Sequence, residues 1–445
     1  MRRGFLPGFL VLTGVLVFSQ FAAPLYAEDY SLQDLYGAAL ERAERVKFTE
    51  EDLAIAKEQK EKARSAIIPD ITAYAAYTRY SESKMSAAGP VIQPESSSAY
   101  GLRLDQFYSL SGNEFRDIRI ADKDIERTSY DISAFKEDYI FSVAGAYYDV
   151  LKSSKLVDIA RANMERLSRQ RDAAEARLKV GEVTKTALLR AEAELSGARS
   201  DLVRAENALA LSRAVLARVV GIEGDFGLKE TDHAEDGITG YTLPSLKEIA
   251  LSERPELKSL ALRREIAGER IRTAHGQYWP FLALEGVYEK RESNPSPFFF
   301  NDESISGGVS MNFVVFEGGL RKSQVNEAKS REKQASLLYD DFRREVSVEV
   351  ENAHLDYLTQ KGVFDALKDQ LVFARDNFNA VSKQFTFGLA DSLDVMDANT
   401  LLVTAERQVA EAGYDYHVAI LRLRRATGTL LGAVTGAKST PEENK

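Results

Sequence analysis

Apolar residues recur at every seventh position along residues 388–428 of the chain. Two rows share this period, one of small side chains and one of mostly larger side chains that runs three residues ahead. The first row is Ala398, Ala405, Ala412, Ala419 and Ala426, and the second is Val395, Leu402, Val409, Tyr416 and Leu423. Rows three and four residues apart over five heptads are typical of a coiled-coil helix. A single amphipathic core helix is the alternative, although such helices seldom keep a strict seven-residue repeat over this length.

The same pattern occurs 207 residues earlier, which indicates an internal duplication. Corresponding pairs are Gly101 with Gly308, Gly181 with Gly388, and Gly221 with Gly428; further upstream they are Pro69 with Pro280 and Leu32 with Leu246. A unit of roughly two hundred residues is too long for a short-repeat solenoid. We predict a first repeat at 28–221, a linker at 222–244, a second repeat at 245–428 and a disordered tail at 429–445.

Long helices should fill most of each repeat. Residues 113–180 contain no proline and give a helix of 68 residues, about 102 Å long. The chain then turns at Gly181 and returns through two shorter helices on either side of the linker, with helix 31–68 playing the same part for the second repeat. The expected shape is a rod with glycine turns at one end.

Four segments change to a period of two, which predicts β-strands at about 69–80, 98–109, 280–290 and 305–316. In the last of these, for example, Val309, Met311 and Phe313 alternate with polar residues. Aromatic residues lie near the strand ends: Tyr80, Tyr278, Trp279 and Phe316. Alternation alone fits a transmembrane β-barrel and a half-buried soluble sheet equally well.

Within a membrane, four strands would leave two unpaired edges. Each unsatisfied backbone group in lipid costs several kcal/mol, so several copies must share one barrel. Two, three or four copies would give eight, twelve or sixteen strands, and this argument does not choose among them.

The N-terminus and the composition indicate an exported protein. Arg2 and Arg3 precede an apolar run at residues 5–18, so residues 1–27 are expected to be a signal peptide cut after Ala27; an N-terminal membrane anchor is the alternative. The chain has no cysteine, which argues against a lipid anchor as its means of attachment. Its net charge of -10 argues against a nucleic acid as partner.

Several short motifs give the chain a specific likeness. They are Val180-Gly181, Phe387-Gly388, residues 393–398 (LDVMDA), Tyr414-Asp415-Tyr416 and Gly428-Thr429-Leu430. With the duplicated order of elements, they make the whole mature chain resemble the TolC family of outer-membrane efflux proteins. The resemblance implies a mainly α fold with a membrane β-barrel, in which three identical chains form a twelve-stranded barrel in the outer-membrane lipid, continued by an α-helical periplasmic tunnel.

The resemblance also implies a function. Such proteins are not enzymes and need no cofactor; they are exit ducts for multidrug efflux or type I secretion. An inner-membrane RND or ABC transporter delivers the substrate, and a periplasmic adaptor protein docks at the tip of the tunnel. The implied docking tip comprises Val180, Gly181, Phe387, Gly388 and Leu389.

The implied pore constriction consists of Asp394 and Asp397, three residues apart on one helix face. A solvated helix face is the alternative reading of these two carboxylates. Family members often hold the tip shut through a tyrosine, an arginine and an aspartate. The matching positions here are Phe385, Ala390 and Ala187, which cannot form those bonds.

Two other classes of protein are alternatives to an exit duct. A periplasmic coiled-coil adaptor or scaffold would share the helices and would extract as a soluble protein. A secreted enzyme would need a convergent polar cluster, and the four histidines (His233, His275, His354 and His417) are dispersed without the spacing of metal ligands. We therefore expect no metal site.

Overall fold

A computed structural model of the chain describes residues 29–230, 240–297 and 301–436; the expected signal peptide at 1–27 and His233 lie outside these residues. The described elements, in chain order, are β1 (Asp29–Tyr30), α1 (Leu32–Arg42), α2 (Glu44–Ser65), β2 (Asp70–Arg79), β3 (Lys84–Met85), β4 (Val91–Gln93), β5 (Ser96–Ser109), α3 (Asn113–Lys179), α4 (Lys185–Val220), β6 (Gly227–Leu228), α5 (Leu243–Glu253), α6 (Pro255–Gly276), β7 (Phe281–Asn294), β8 (Glu303–Asn312), α7 (Leu320–Thr386), α8 (Ser392–Thr427) and α9 (Leu430–Thr435).

The two long helices, α3 and α7, each contain 67 residues and match the expected lengths. In the half that ends at the glycine turns, α3 packs against α4 and α7 packs against α8. In the half next to the strands, α6 packs against both long helices and α2 packs against α3. The paired helices keep their apolar rows buried, including Leu195, Leu402 and Ala405. Among the described residues, no helix combines the length and the apolar character needed to cross a membrane.

Two helices expected to be continuous are broken. Helix 31–68 is interrupted at Ala43 and helix 245–277 at Arg254, where ψ is 126° and 120° instead of helical. Pro255 explains the second break, because a proline lacks the N–H donor and disfavours helical backbone in the residue before it. The break at Ala43 has no comparable signal in the sequence.

These breaks correct the alignment of the repeats. The helices α1 and α5 both have 11 residues, and α2 and α6 both have 22, each pair starting 211 residues apart. Leu246 therefore corresponds to Leu35 and not to Leu32. Both Leu35 and Leu246 are buried in the helical core, which gives them the same role.

The strands form one antiparallel sheet in the order β2-β5-β7-β8, so the two hairpins lie side by side. β5 and β7 are longer than expected, and β8 is shorter than the expected 305–316. The reason is that Phe281, the first residue of β7, lies opposite Asn312. Among the described residues, no strand therefore lies opposite residues 313–316, and Phe316 lies beyond the end of β8.

The linker and the tail contain more structure than expected. Within 222–244, β6 pairs in parallel with β1 at the start of the chain, and residues 231–239 lie outside the described part. Within the tail at 429–445, α9 is an ordered helix, because Leu430 inserts into the core of the first repeat. The side chain of Gln33 also donates a hydrogen bond of 2.7 Å to the carbonyl of Val434. Residues 437–445 lie outside the described part.

A buried ion-pair cluster joins the two repeats beside this helix. Arg254 is only 1% exposed and pairs with Glu256 at 2.8 Å and with Glu349. Arg425 extends the cluster from Glu349 to Asp138 of α3, at 2.6 Å. Since the buried guanidinium of Arg254 has two carboxylate partners, its desolvation is offset; removing one partner would leave its charge undercompensated.

Glu137 lies at the edge of this cluster and holds α9 in place. One carboxyl oxygen accepts a 3.0 Å hydrogen bond from the backbone N–H of Leu431, and the other is buried. Burial raises the pKa of Glu137 from 4.5 to about 7. Because this pKa is higher than in the unfolded chain, folding favours the protonated carboxyl. The free energy of unfolding therefore falls as the pH rises from 4.5 to about 7.

We expect Glu137→Gln to remove this loss of stability. In the unmodified protein, the unfolding free energy should fall by ~3 kcal/mol per chain between the two pKa values. The amide can still accept from Leu431 and has no charge to bury, so the variant should be the more stable form at pH 7.5. Thermal unfolding across the pH range measures this, with Glu165→Gln, an exposed position on α3, as the control. Identical pH profiles for the Glu137 variant and the unmodified protein would contradict the assignment.

Candidate functional site

The turn after α3 closes one end of the first repeat. Its backbone forms a Schellman motif: the N–H of Gly181 donates to the carbonyl of Leu178 at 3.0 Å, and that of Glu182 to Arg177 at 2.9 Å. Gly181 has a φ of +80°, which favours glycine over any residue with a side chain. Val180, just before it, is 70% exposed. Thr184 then caps the N-terminus of α4.

The turn after α7 repeats this geometry. The N–H of Gly388 donates to Phe385 at 3.2 Å, and that of Leu389 to Gln384 at 2.8 Å. Gly388 has a φ of +75°. Phe387 and Leu389 are 78% and 79% exposed, so the turn presents apolar side chains to its surroundings.

Contacts between the two repeats bring these turns together at one end of the molecule. The guanidinium of Arg177 lies 4.1 Å from the centre of the Phe385 ring and donates hydrogen bonds of 3.4 and 3.3 Å to the Phe385 carbonyl. The side chain of Gln170 also donates to the carbonyl of Ser392, at 3.5 Å. The two turns that carry the five predicted tip residues thus lie at the same end of the molecule. The ring that Arg177 contacts belongs to Phe385, which occupies the position of the family's tyrosine.

Asp394 and Asp397 are both exposed in the first turns of α8. Asp394 also has a structural role, since its carboxylate accepts a 3.0 Å hydrogen bond from the backbone N–H of Asp391. Asp391 in turn accepts from Leu393 and Asp394, which completes a capping box. Their neighbours Val395, Met396 and Ala398 are buried, whereas both carboxylates stay exposed.

A second contact between the repeats lies further along the same helices. Arg166 of α3 donates to Asn399 and to Glu406 of α8, both at 3.1 Å. Asn399 is 4% exposed and donates to Asn163 at 2.9 Å. These residues and Arg177 were missed in the sequence because none of them lies on an apolar row or in a recognised motif.

The four aromatic residues near the strands lie at opposite ends of the sheet. Tyr278, Trp279 and Phe316 are at the helix side, and Trp279 and Phe316 are highly exposed. Tyr80 directly follows β2 at the other end, where its N–H donates to Glu95 at 2.8 Å. The arrangement suits two aromatic girdles, although contact with lipid stays a prediction.

The described residues contain no group of three or more His, Cys, Asp or Glu side chains placed to hold a metal ion.

Comparisons with known proteins agree with this architecture. The sequence model of a family described as "Outer membrane efflux protein" matches residues 35–222 and 246–429. The chain is 25% identical to the outer membrane protein TolC of Vibrio cholerae over 92% of both chains. It is 24% identical to the alkaline protease secretion protein AprF of Pseudomonas aeruginosa, over 66% of this chain and 62% of AprF. The crystal structure of the Vibrio cholerae outer membrane protein VceC superposes with a TM-score of 0.76 at 17% identity, covering 89% of this chain and 96% of VceC.

Proposed function

Because the chain belongs to the outer membrane efflux protein family, we propose that three copies of it form one duct, with a shared β-barrel in the membrane and a helical tunnel below it. Membership makes the protein an outer-membrane exit duct for efflux or type I secretion, and not an enzyme. The observation that carries a shared barrel is the four-stranded sheet with two open edges at the end opposite the glycine turns, and the family supplies the number of copies. Three such sheets give twelve strands and leave no edge unpaired.

The tip formed by Val180, Gly181, Phe387, Gly388 and Leu389 is the proposed docking surface for a periplasmic adaptor protein. Its two turns are exposed at the end of the rod, and the exposed apolar side chains offer surface to bury. The glycines lack a Cβ, and no other atom lies within 4 Å of where one would be, so a partner backbone can approach closely. An RND or ABC transporter in the inner membrane would supply the substrate through this adaptor.

Asp394 and Asp397 are the proposed constriction of the tunnel. Three chains would bring six carboxylates to the tip end of the duct, and rings of aspartate favour cations over anions. The exposure of both side chains and their position just beyond the second turn support this role.

Native mass measurement of the purified protein in detergent tests the assembly. We expect a single species three times the mass of the 49.5 kDa chain, less the signal peptide. A stable folded monomer would overturn the shared barrel. Recovery of the folded protein from the soluble periplasmic fraction without detergent would favour the coiled-coil scaffold instead.

A further inference from the structure

We propose that the cleft between α3, α7 and α8 binds a lipophilic organic cation, that is, a molecule with an aromatic or aliphatic body and one positive centre. The cleft has a volume of about 440 Å³, which lies within the range of small-molecule sites. Its lining residues come from both repeats of one chain, so the site does not depend on the number of copies in the proposed duct. None of these lining residues belongs to the tip or to the proposed constriction.

Aromatic rings form one wall of the cleft. Tyr148 of α3 is 8% exposed, and its ring stacks on that of His417 of α8, with the ring centres 5.5 Å apart. The ring of Tyr414 lies beside Tyr148, with the centres 6.3 Å apart. The half-buried side chains of Leu151 and Val409 extend this apolar surface. The faces of aromatic rings carry a negative electrostatic potential, which attracts a cation.

Phe364 of α7 forms the opposite wall. Its ring lies against the backbone of α8 at Gly413, where an added Cβ would be 3.1 Å from Cε2 of the ring. A glycine inside a helix is unfavourable for the helix, and here the missing side chain gives the ring its place. The ammonium of Lys368 lies 3.9 Å from the centre of the same ring. A cation is therefore already held against this wall within the chain.

Two carboxylates give one end of the cleft a negative charge. The hydroxyl of Tyr414 donates a 3.1 Å hydrogen bond to Glu230, and Asp158 of α3 lines the same end. Burial raises the pKa of Tyr414, and the charges of Glu230 and Asp158 raise it further. Within the described part of the chain, neither carboxylate forms an ion pair with a lysine or an arginine. Glu406, the third carboxylate of the lining, differs because it pairs with Arg166 at 3.1 Å.

The positive side chains of the cleft leave these two carboxylates uncompensated. Lys155 and Arg375 both line the cleft, and both are exposed. Arg375 corresponds in the duplication to position 168 of α3, which is about 15 Å beyond Asp158 along the helix axis. A ligand with one positive centre can thus pair with Asp158 and Glu230 while its body lies between the aromatic walls. An anion of the same shape would meet the two carboxylates instead.

Two probes of the same shape and opposite charge test the class of ligand. Tetraphenylphosphonium and tetraphenylborate carry the same phenyl rings on a positive and a negative centre. Each is titrated by calorimetry into the full-length protein in phosphatidylcholine nanodiscs, and empty nanodiscs give the background. We expect saturable binding of tetraphenylphosphonium at one site per chain, with tetraphenylborate bound at least tenfold more weakly. Equal or tighter binding of tetraphenylborate would overturn the assignment of a cation.

The double variant Asp158→Asn, Glu230→Gln tests the place of binding. The amides keep the shape of the side chains and remove both charges, so the affinity for tetraphenylphosphonium should fall by about tenfold or more. The matched control is Asp201→Asn with Glu194→Gln, which removes the same charges from exposed positions on α4, a helix that contributes no residue to the cleft. The control should bind as the unmodified protein does.

A second variant, Ala410→Phe, fills the cleft from α8 and should abolish binding. Thermal unfolding and native mass establish that each variant is folded; if Ala410→Phe is not, the carboxylate variant decides alone. Unchanged affinity in the carboxylate variant would overturn the site. A folded trimer that does not bind tetraphenylphosphonium would also overturn the site and leave the duct intact, whereas a folded monomer that binds it would overturn the duct and leave the site.

Discussion

Replacing Gly181 and Gly388 by leucine is expected to lower export by about tenfold or more while trimer yield stays unchanged. Both glycines have positive φ, so a side chain adds strain of roughly 1–2 kcal/mol at each turn and also fills the space needed for close approach. Neither position touches the helical core, since no other atom lies within 4 Å of an added Cβ. Because each 1.4 kcal/mol of lost docking energy weakens binding tenfold, we expect export to fall by about tenfold or more.

The measurement is accumulation of a fluorescent efflux substrate in cells that contain the cognate pump and adaptor but no other duct. Gly89→Leu is the matched control, because Gly89 also has positive φ and open space, but lies between β3 and β4 at the other end of the molecule. Full export by the double tip variant would place adaptor docking elsewhere on the duct.

The double variant Asp394→Asn, Asp397→Asn should remove cation selectivity and the block by multivalent cations. Six negative charges leave the narrow end of the tunnel, and block by a trivalent cation should weaken by about tenfold or more, since each ion–carboxylate contact is worth about 1 kcal/mol or more even in water. Asparagine is preferred to alanine at 394 because its side-chain oxygen can still accept from Asp391 and preserve the cap of α8. Any change in the channel then reflects charge and not a frayed helix.

Single-channel recording in planar bilayers measures both effects. The control is Asp369→Asn with Asp376→Asn, which removes the same number of charges from exposed positions on α7. If selectivity and block survive in the Asp394 and Asp397 variant, these two residues are an ordinary solvated helix face.

The helices α4 and α8 were predictable because their signal repeats many times. A seven-residue period sustained through residues 388–428 and again through 181–221 leaves few alternatives, and the glycines at both ends mark where the chain turns. The hairpins were predictable for a similar reason, since each strand gives several alternating positions. The strand ends were harder to predict. Strand β8 ends opposite the first residue of β7, and not where its own alternation of apolar and polar residues stops.

Features that depend on particular tertiary contacts could not be predicted from the sequence. Helix α1, which ends at Ala43, packs on the first repeat's core through Leu35 and Ala39, and α9 is held by the burial of Leu430 together with the hydrogen bonds of Glu137 and Gln33. The break at Arg254 was predictable, because a proline at position 255 favours a helix end at the residue before it. At the tip, the glycines could be recognised from short motifs. The contact between Arg177 and Phe385 could not, because these residues are 208 positions apart in the sequence and belong to no common local pattern.

The contact between Arg177 and Phe385 bears on how the tip responds to acid. Arginine keeps its charge throughout the physiological range, and neither a phenyl ring nor a backbone carbonyl takes up a proton there. Arg177 also pairs with the carboxylate of Glu182, at 4.0 Å, which belongs to the same turn of the first repeat. A tip held by an arginine–aspartate bond would loosen when the aspartate is protonated. In this protein the link between the two turns should persist when the periplasm acidifies, so that the duct's resting state is independent of the external pH at this point.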